Sequence, residues 1–415
     1  MKIMQINAVY GQGSTGVITK DIHEMALSEG LESYVAYSIA PKSIESSIVN
    51  GYAIGNLLER KIHALLSRIN GEQGYFSSLS TKKLLKHIDK ISPDVVHLHN
   101  LHSNYINLNM LLKFLAKRNI ATVLTIHDCW FYTGGCFHYT EVGCDKWTKN
   151  CGSCPKKHSD FPAYFLDRSS KILNDKRKYF SRIKNLTSVG VSDWIADETR
   201  KSFLGNAEVT RIYNGIDLDF FKYTESDIKK ELGIEGKTVV LGMANKWLMP
   251  KNRVAFEYVV SRLPDDAIML MVGCSDAQLS ALPEKVKGIG YIRDRATLRN
   301  IYSASDVFIN CTREETLSLV NVEAQACGLP IVTYSNTGAK ETVDNIISFS
   351  VKDGDYIALT DKLLYIIENK SAFANKKCSD FIKNRFNVMN NYKEYIELYS
   401  EIYRKCNSTK TEGNT

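Results

Sequence analysis

The sequence contains no apolar run of about 18 residues, the minimum length from which a membrane-spanning helix is inferred. Its first residues lead directly into a strand-like segment, and no apolar signal segment comes before it. Charge of neither sign dominates, because 53 basic residues stand against 46 acidic ones, a net charge of +7. We therefore expect a cytoplasmic protein. This charge suits an anionic substrate or membrane surface and gives no reason to expect nucleic acid as a partner.

Alternating apolar runs and helical patterns predict an α/β chain with two doubly wound halves. With 415 residues, 44% of them hydrophobic and 24% charged, the chain is long enough for two or three globular domains. A turn-rich NGID sequence at 214–217 is typical of a link between domains. The predicted segments are a first domain at 1–213, a second at 214–385, a last helix at 386–406 and a flexible polar tail at 407–415.

The most informative segment lies between Asn310 and Tyr334, where a short apolar strand runs into a helix predicted over 318–327. A helix that begins at the carboxyl end of a parallel strand presents backbone N–H groups to an anion. We expect a diphosphate to lie on the amides of Leu317, Ser318 and Leu319. Glu315 and Glu323 flank this junction, and their carboxylates could accept hydrogen bonds from the hydroxyl groups of a sugar and a ribose.

This segment resembles the signature of the retaining glycosyltransferases of family 4, in which two glutamates with seven residues between them precede an Ala-x-Ala-Cys-Gly-x-Pro sequence. Many members carry Gly-Phe-Gly after the first glutamate, whereas this chain has Thr316, Leu317 and Ser318. The residues that match the signature are Glu315, Glu323, Ala324, Ala326, Cys327, Gly328 and Pro330.

The resemblance implies a GT-B type fold: two Rossmann-like domains that face each other across a cleft, with the last helix crossing back to the first domain. It also implies transfer of a sugar from a nucleotide-diphosphate donor to a hydroxyl acceptor with retention of configuration. In this mechanism the leaving phosphate oxygen helps to deprotonate the attacking hydroxyl. Because lysines would supply the positive charge, no cofactor is expected for catalysis.

The resemblance also implies roles for residues outside the signature. Lys246 and Lys251 follow the strand predicted over 238–243, and they would neutralise the diphosphate; the family has an arginine where Lys246 stands. Glu323 would bind the ribose, while Glu315 and His127 would hold the donor sugar. Gly13 and Gly16 would let the backbone approach the donor phosphate. Glu315, His127 and Lys251 are the candidate catalytic residues.

Three more histidines, His97, His99 and His102, follow another predicted strand. They could suggest a metal site, but no nearby carboxylate is evident in the sequence. We interpret them as core or cleft-lining residues.

Four cysteines lie close together within a predicted insertion at 129–160: Cys136, Cys144, Cys151 and Cys154. Four such thiolates could hold a structural zinc ion, although free or redox-paired thiols are equally compatible with the spacing. The stretch resembles an insertion in polysaccharide-assembling members of the family, which would shape the acceptor site.

The acceptor that the insertion suggests is a lipid-linked oligosaccharide of surface polysaccharide biosynthesis, either capsular polysaccharide or exopolysaccharide. Basic helices between Leu57 and Lys90 could touch an anionic membrane, so we expect a peripheral location on the inner face of the cytoplasmic membrane. Two alternatives are a nucleotide-sugar epimerase on the same fold and a non-enzymatic, zinc-containing binding module.

Overall fold

A computed structural model describes residues 1–160, 162–373 and 379–412, with side chains up to residue 408. Within these residues the chain forms two compact units. Unit 1 comprises residues 1–213 together with the last helix from Asn391 onward, and unit 2 comprises Asn214–Asn390. Each unit contains one sheet in which every strand pairing is parallel. The predicted fold class of two Rossmann-like domains is therefore confirmed.

Unit 1 contains a seven-stranded sheet with the strand order 3-2-1-4-5-6-7. Its strands are β1 (Lys2–Val9), β2 (Glu32–Ile39), β3 (Gly51–Ala53), β4 (Val95–Leu98), β5 (Ala121–Ile126), β6 (Leu186–Gly190) and β7 (Glu208–Arg211). Its helices are α1 (Gly13–Ser28), α2 (Lys42–Glu45), α3 (Leu57–Asn70), α4 (Ser78–Ile91), α5 (Leu108–Arg118), α6 (Ser169–Phe180) and α7 (Asp193–Lys201). Short 3₁₀ helices occupy Cys129–Tyr132, Lys146–Thr148 and Phe203–Asn206.

Helix α5 shows how the local sequence specifies these elements. The side chain of Asn107 accepts a hydrogen bond from the Met110 N–H and so caps the amino end of the helix. Leucines at positions 108, 111, 112 and 115 lie on one buried face, as helical periodicity requires. Asn119 ends the helix in the left-handed conformation, with φ of 51°.

Unit 2 contains a six-stranded sheet with the strand order 10-9-8-11-12-13. Its strands are β8 (Thr238–Met243), β9 (Ala267–Val272), β10 (Val286–Ile289), β11 (Val307–Asn310), β12 (Ile331–Tyr334) and β13 (Phe349–Val351). Its helices are α8 (Ile228–Glu231), α9 (Ala244–Trp247), α10 (Arg253–Arg262), α11 (Asp276–Leu279), α12 (Arg295–Ala304), α13 (Leu319–Ala326), α14 (Tyr356–Glu368), α15 (Lys370–Phe373) and α16 (Asp380–Phe386). Short 3₁₀ helices occupy Pro250–Asn252 and Thr337–Thr342.

The last helix, α17 (Val388–Glu412), packs on the sheet of unit 1 through buried tyrosines. The hydroxyl of Tyr399 lies 2.6 Å from Nδ1 of His97 on β4, and the hydroxyl of Tyr395 lies 3.0 Å from Oγ1 of Thr125 on β5. The expected return of this helix to the first domain is confirmed. The helix is longer than predicted, because helical backbone continues to Glu412 where a tail was expected from 407.

Three edge strands, β3, β10 and β13, were not predicted. Their sequences are GYA, VKGI and FSV, too short and too mixed in polarity to show a buried apolar run. Edge strands pair on one side only, so their sequences are less constrained than those of central strands. Their positions follow from pairing with β2, β9 and β12.

In the part of the chain that the structure describes, no helix has both the length and the apolar character needed to cross a bilayer.

We predict that unit 1 loses stability in mild acid. Burial lowers the pKa of His127 to about 4 and holds the pKa values of His97 and His99 well below the usual value. Near pH 6.5 these histidines bind protons in the unfolded chain, whereas in the folded chain they stay neutral. The free energy of unfolding should therefore fall from pH 6.5 toward pH 4, by up to about 1.4 kcal/mol per pH unit for each such histidine.

Urea denaturation at several pH values, followed by tryptophan fluorescence, measures this dependence. The variant His97→Phe should show a shallower pH slope than the parent chain, because one titrating group is removed. His158→Gln replaces an exposed histidine of the same unit and serves as the matched control. An unchanged slope in His97→Phe would contradict the prediction.

Candidate functional site

The carboxyl ends of β8, β11 and β12 form the edge of unit 2 where the predicted donor residues lie. These three strands are neighbours in the sheet and run parallel, so the segments that follow them meet at the same edge. Lys246 and Lys251 follow β8, Glu315 follows β11, and Thr337 follows β12. The structure thus brings three separate segments of the chain together at this edge.

The segment after β8 is tied firmly to β11. Nε1 of the buried Trp247 donates to the Ile309 carbonyl oxygen at 2.9 Å. Nδ2 of Asn252 donates to the Lys246 carbonyl oxygen at 2.8 Å and lies 3.5 Å from Sγ of Cys311. These bonds fix the backbone on both sides of the two lysines. The expected loop is in fact two short helical turns, α9 and Pro250–Asn252.

Both lysines act electrostatically on the end of β11. Burial raises the pKa of the Cys311 thiol to about 12, and the nearby charges of Lys246 and Lys251 act in the opposite direction. Both ammonium groups are thus within electrostatic range of the end of β11. A phosphate group bound in this region would require these positive charges.

Glu315 lies in the same region as the two lysines. Its Oε1 lies 3.3 Å from Nζ of Lys246, and both side chains are partly exposed. Its backbone is held by the segment after β12, because the Glu315 N–H donates to Oγ1 of Thr337 at 3.2 Å and the Gly338 N–H donates to the Glu315 carbonyl oxygen at 2.9 Å. Thr337 has φ of 42°, a left-handed conformation uncommon for threonine.

A buried amide network positions the amino end of α13. Nδ2 of Asn310 donates to Oγ of Ser318 at 3.2 Å and to Oδ1 of Asn321 at 2.8 Å, and Nδ2 of Asn321 donates to Oγ1 of Thr342 at 3.0 Å. Within the described residues, the Ser318 side chain does not cap the helix. The Asn321 N–H already donates to the Ser318 carbonyl oxygen at 3.1 Å, so within the described residues the N–H groups of Leu319 and Val320 are those left for an anion.

Glu323 lies one turn further along α13 in a more enclosed setting. Burial raises its pKa to about 7, although the charge of Arg295 and a hydrogen bond from the Tyr302 hydroxyl, 3.3 Å from Oε2, both lower it. Its carboxylate is therefore easier to protonate than that of an ordinary surface glutamate. A ligand that binds the ionised form would stabilise that form.

In unit 1 the turn after β1 relies on glycines. Gly11 and Gly13 have positive φ values of 68° and 61°. A Cβ atom on Gly16 would lie 3.1 Å from the Val9 side chain and 3.3 Å from its carbonyl carbon, so the start of α1 packs tightly on the strand. Gly13 is exposed and Gly16 is buried.

Two of the strand-end histidines of unit 1, His99 and His127, are linked to each other and to Gln5 by hydrogen bonds. Nε2 of Gln5 donates to the Thr19 carbonyl oxygen at 3.3 Å, which turns Oε1 of Gln5 toward His99. Nε2 of His99 donates to that oxygen at 2.9 Å, so Nδ1 of His99 accepts from Nε2 of His127 at 3.0 Å. This chain of bonds assigns the proton of neutral His127 to Nε2 and leaves Nδ1 as its acceptor.

A carboxylate lies beside one of the other strand-end histidines, but among the described residues the pair does not complete a set of metal ligands. Oδ2 of Asp128 lies 3.0 Å from Nε2 of His102, and Oδ1 of Asp128 accepts the Trp130 N–H at 2.8 Å. Burial raises the pKa of Asp128, but His102 and the Trp130 N–H lower it further, so its pKa lies below the usual value. The sequence concealed this pair because β4 and β5 bring the two residues together from 26 positions apart.

The four clustered cysteines line one small cavity of about 20 Å³ in unit 1. Burial raises the pKa of the Cys136 thiol to about 12 and that of the Cys151 thiol to about 11, and nearby cysteines reinforce both shifts. Four thiols around one cavity match a tetrahedral zinc site in kind and number. Among the described residues, however, no three His, Cys, Asp or Glu side chains are already arranged to hold a metal ion. The zinc hypothesis stays a prediction.

Lys176 is a buried residue of this region that sequence reasoning missed. Its Nζ lies 3.6 Å from the centre of the Trp130 ring and donates to the carbonyl oxygens of Trp130 and Thr133. Burial lowers its pKa to about 7, although Cys136, Asp128 and Cys151 act in the opposite direction. Nothing in its helical context distinguishes it from a surface lysine, so only the packing of α6 against the insertion reveals its role.

Two family models match the chain and together cover more than half of it. Residues 253–369 match the model described as Glycosyl transferases group 1, and residues 55–220 match the model described as Glycosyltransferase Family 4. The first match includes Glu315 and Glu323, and the second includes His127 and the cysteine cluster.

Relatives and a solved structure agree with these matches. The colanic acid biosynthesis glycosyl transferase WcaC of Escherichia coli K12 is 25% identical over 86% of this chain and 89% of its own length. An Escherichia coli UDP-Gal:α-D-GlcNAc-diphosphoundecaprenol α-1,3-galactosyltransferase is 24% identical over 49% of this chain and 57% of its own length. The crystal structure of Anabaena HepE with UDP-glucose has a TM-score of 0.64, with 16% identity over 97% of this chain and all of that one, and shows the shared fold.

The zinc hypothesis predicts one zinc ion per chain in the purified protein, measured by elemental analysis, because four thiolates would hold it tightly. The ion should be lost when Cys151 and Cys154 are both replaced by serine and retained in the control Cys406→Ser. A protein without zinc whose clustered thiols react with a thiol reagent would contradict the hypothesis.

Proposed function

Because this chain belongs to the glycosyltransferases that these two family models describe, we propose that it is a retaining hexosyltransferase-type enzyme that uses a nucleotide-diphosphate sugar. The observation that carries the proposal is the arrangement at the carboxyl edge of unit 2. There Lys246 lies 3.3 Å from Glu315, Lys251 acts on the same thiol as Lys246, and the amino end of α13 lies nearby. Positive charges and backbone amides for a diphosphate thus lie beside a carboxylate for the hydroxyl groups of the attached sugar.

The diphosphate interacts with the positive part of this arrangement. Lys246 and Lys251 supply two ammonium groups, and the first turn of α13 supplies N–H groups at Ser318 and Leu319 with the positive end of the helix dipole. Negative charge on the diphosphate grows as the bond to the sugar breaks. Groups placed in advance to meet that charge stabilise the transition state more than the bound donor. Lys246 stands where the family has an arginine. Its ammonium group contacts the diphosphate as a single point charge, whereas a guanidinium group would form two parallel N–H bonds.

Glu315 exchanges partners when the donor binds. In the unliganded chain its carboxylate neutralises Lys246, and both groups are partly exposed and hydrated. A diphosphate competes for the ammonium group of Lys246. The Glu315 carboxylate then accepts hydrogen bonds from hydroxyl groups of the sugar. Its fixed backbone, held by Thr337 and Gly338, keeps the carboxylate at the edge through this exchange.

Glu323 binds the ribose through its carboxylate. Two vicinal hydroxyl groups can donate to the two oxygens of one ionised carboxylate. Because burial raises the pKa of Glu323 to about 7, ribose binding and ionisation support each other near neutral pH. Tyr302 and Arg295 orient and partly neutralise this carboxylate, and neither was identified from the sequence.

The transfer step balances without an added acid or base from the protein. The bond between C1 of the sugar and the diphosphate oxygen breaks, and a bond from C1 to the acceptor oxygen forms on the same face. The proton of the acceptor hydroxyl moves to the departing phosphate oxygen. Lys251 and the α13 amides stabilise the nucleoside diphosphate that leaves.

In unit 1, burial lowers the pKa of His127 to about 4, so its ring is neutral near neutral pH, and His99 fixes its orientation through Nε2. The turn at Gly13 and Gly16 supplies exposed backbone close to β1. We assign these residues to the donor sugar and phosphate as the family pattern implies. The cysteine-containing insertion at 129–160 lies in the same unit and would shape the acceptor side.

The acceptor we propose is a lipid-linked oligosaccharide of capsular polysaccharide or exopolysaccharide biosynthesis. The names of the two Escherichia coli relatives support it, since one concerns colanic acid and the other a sugar on diphosphoundecaprenol. Such a substrate places the enzyme in the cytoplasm, at the inner face of the cytoplasmic membrane. Family membership sets aside the alternative of a non-enzymatic zinc module, and the names of both relatives favour transfer over epimerisation.

A thermal-shift screen of nucleotide sugars, followed by NMR of the product from the best donor, tests the proposal. We expect one nucleotide sugar to raise the unfolding temperature and the product to keep the anomeric configuration of the donor. An inverted product would exclude a retaining mechanism.

We predict that Glu315→Gln lowers the transfer rate at least about tenfold, because a charged hydrogen bond to the sugar contributes about 1.5–3 kcal/mol. The backbone bonds to Thr337 and Gly338 do not involve the side chain, so the unfolding temperature should stay close to that of the parent chain. Glu235→Gln changes an exposed glutamate of the same unit and is the control. Undiminished turnover in Glu315→Gln would contradict the assigned role.

A further inference from the structure

Helix α3 of unit 1 has its apolar face on the outside. Its only buried side chain is His63, which is 1% exposed and bonds through Nδ1 to Oγ of Ser77 at 2.8 Å. Leu58, Ile62, Leu65 and Ile69 share one face at helical spacing and are 44–67% exposed. A surface helix normally buries such a face. This inversion means that the part of the chain that the structure describes leaves these leucines and isoleucines uncovered.

The exposed apolar surface continues beyond α3 at both ends. Near its start, Glu59 accepts from the Ser80 N–H at 3.3 Å, which brings the neighbouring Leu79, 72% exposed, beside the helix. Near its end, the Tyr164 N–H donates to the Arg68 carbonyl oxygen at 2.8 Å. That bond holds the exposed apolar segment 164–166 against the helix. We call α3, Leu79 and 164–166 together the outer apolar surface.

Exposed basic residues lie on α3 and on α4, the helix that contains Leu79. They are Lys61, Arg68, Lys82, Lys83, Lys86 and Lys90. The acidic residues of the same stretch are engaged: Glu59 with Ser80, Glu72 with Lys171 at 3.4 Å, and Asp89 with Arg118 at 2.7 Å. The exposed basic residues of α3 and α4 therefore outnumber the carboxylates of the same two helices, which are Glu59 and Asp89.

A cavity of about 220 Å³ opens beside the outer apolar surface. Arg68 of α3 and Arg168, which lies near Gly71 at the end of that helix, both line it. Among the described residues, neither guanidinium has a carboxylate partner. Of the other charges in the lining, Lys156 pairs with Asp160 at 3.3 Å and Lys157 donates to the Phe165 carbonyl oxygen at 3.0 Å, while Asp167 accepts the Cys154 N–H at 2.7 Å. Two guanidinium groups thus remain to face a ligand in this cavity.

We infer that the outer apolar surface rests on an anionic lipid bilayer and that Arg68 and Arg168 hold the phosphate headgroup of one lipid in the adjoining cavity. An amphipathic helix lies in the interface with its apolar face among acyl chains and its basic residues at the headgroups. Arg68 belongs both to the surface that contacts the bilayer and to the headgroup site, because it flanks the apolar face of α3 and lines the cavity. This inference rests on the proposed function, for which the lipid would carry the acceptor.

Charge complementarity favours a lipid over a second copy of this chain. Two copies that met through this surface would bring two basic borders together, and like charges across an interface are costly. A bilayer containing anionic lipid instead offers negative charge to the border and hydrocarbon to the leucines. Each Lys or Arg near such a surface contributes about 1 kcal/mol, or about fivefold in affinity.

Co-sedimentation of the full chain with phosphatidylcholine vesicles, with or without phosphatidylglycerol, tests the inference. We expect binding to the vesicles that contain phosphatidylglycerol, and binding that weakens with added salt. The double variant Leu58→Glu with Leu65→Glu should bind on the order of tenfold or more weakly, because it loses apolar area and places carboxylates against an anionic surface. Ile346→Glu changes an exposed isoleucine, 75% exposed, in unit 2 and should bind as the parent chain does.

The cavity is tested separately with Arg68→Gln and Arg168→Gln. Each should weaken binding to anionic vesicles about fivefold. Arg262→Gln, an exposed arginine of unit 2, should leave it unchanged. Arginine variants that bind as tightly as this control would overturn the headgroup site. A parent chain that ignores anionic vesicles, or elutes as a dimer that the double leucine variant converts to a monomer, would overturn the docking surface.

The donor-induced thermal shift, measured on the same samples, separates this inference from the proposed function. The leucines and arginines altered in the test variants lie in unit 1, outside the donor edge of unit 2, so each of these variants should keep the shift. Failed vesicle binding with a retained shift would overturn only the membrane inference. A parent chain that no nucleotide sugar stabilises would count against the proposed function itself.

Discussion

The parallel pairing of β8, β11 and β12 is the constraint on which the donor edge depends. Parallel strands end at the same side of a sheet, so the segments that follow them meet there whatever their separation in the sequence. Lys246 and Glu315 lie 69 positions apart, yet they form an ion pair, and Thr337 then holds the Glu315 backbone from a third segment. No one of these three segments contains the site.

Networks of buried, hydrogen-bonded polar side chains position key residues in both units. In unit 2 the Asn310, Asn321 and Thr342 side chains bond to one another beneath the amino end of α13. In unit 1, Gln5 and His99 orient His127 through a chain of hydrogen bonds that only neutral rings can complete. A buried amide or imidazole without a partner would be costly, so these networks permit few alternative arrangements. They give precise positions to groups that would otherwise be mobile.

Unit 1 departs from ordinary patterning on one side only. Elsewhere its helices bury their apolar faces, as α5 does with its leucines, whereas α3 buries His63 and exposes its aliphatic residues. The same unit holds the cysteine cavity, Lys176 and the pair of arginines beside α3. The unusual features of the molecule are thus concentrated in the unit that would meet an acceptor, while unit 2 keeps the more regular donor edge.

Much of the fold was predictable because it rests on local periodicity. Strand β8 and helix α10 occupy the predicted residues, and α13 lies one residue inside each predicted bound, since buried apolar runs and helical spacing are properties of contiguous residues. The short edge strands β3, β10 and β13 were missed because pairing with a neighbour, and not their own composition, makes them strands. For the candidate site, Glu315 and Glu323 were recognised from a contiguous signature, whereas Tyr302, Asn252 and Lys176 carry no such mark.

The sequence by itself determined the two α/β sheets, the strand-to-helix junction with its pair of glutamates, and the clustering of four cysteines along the chain. These depend on spacing within a short stretch of residues. Only the tertiary structure decided that Lys246 meets Glu315, that His102 meets Asp128, and that the apolar face of α3 points outward. The physical reason is that contacts between distant residues depend on strand order and on which face of each helix packs inward, which emerge only when the whole chain folds.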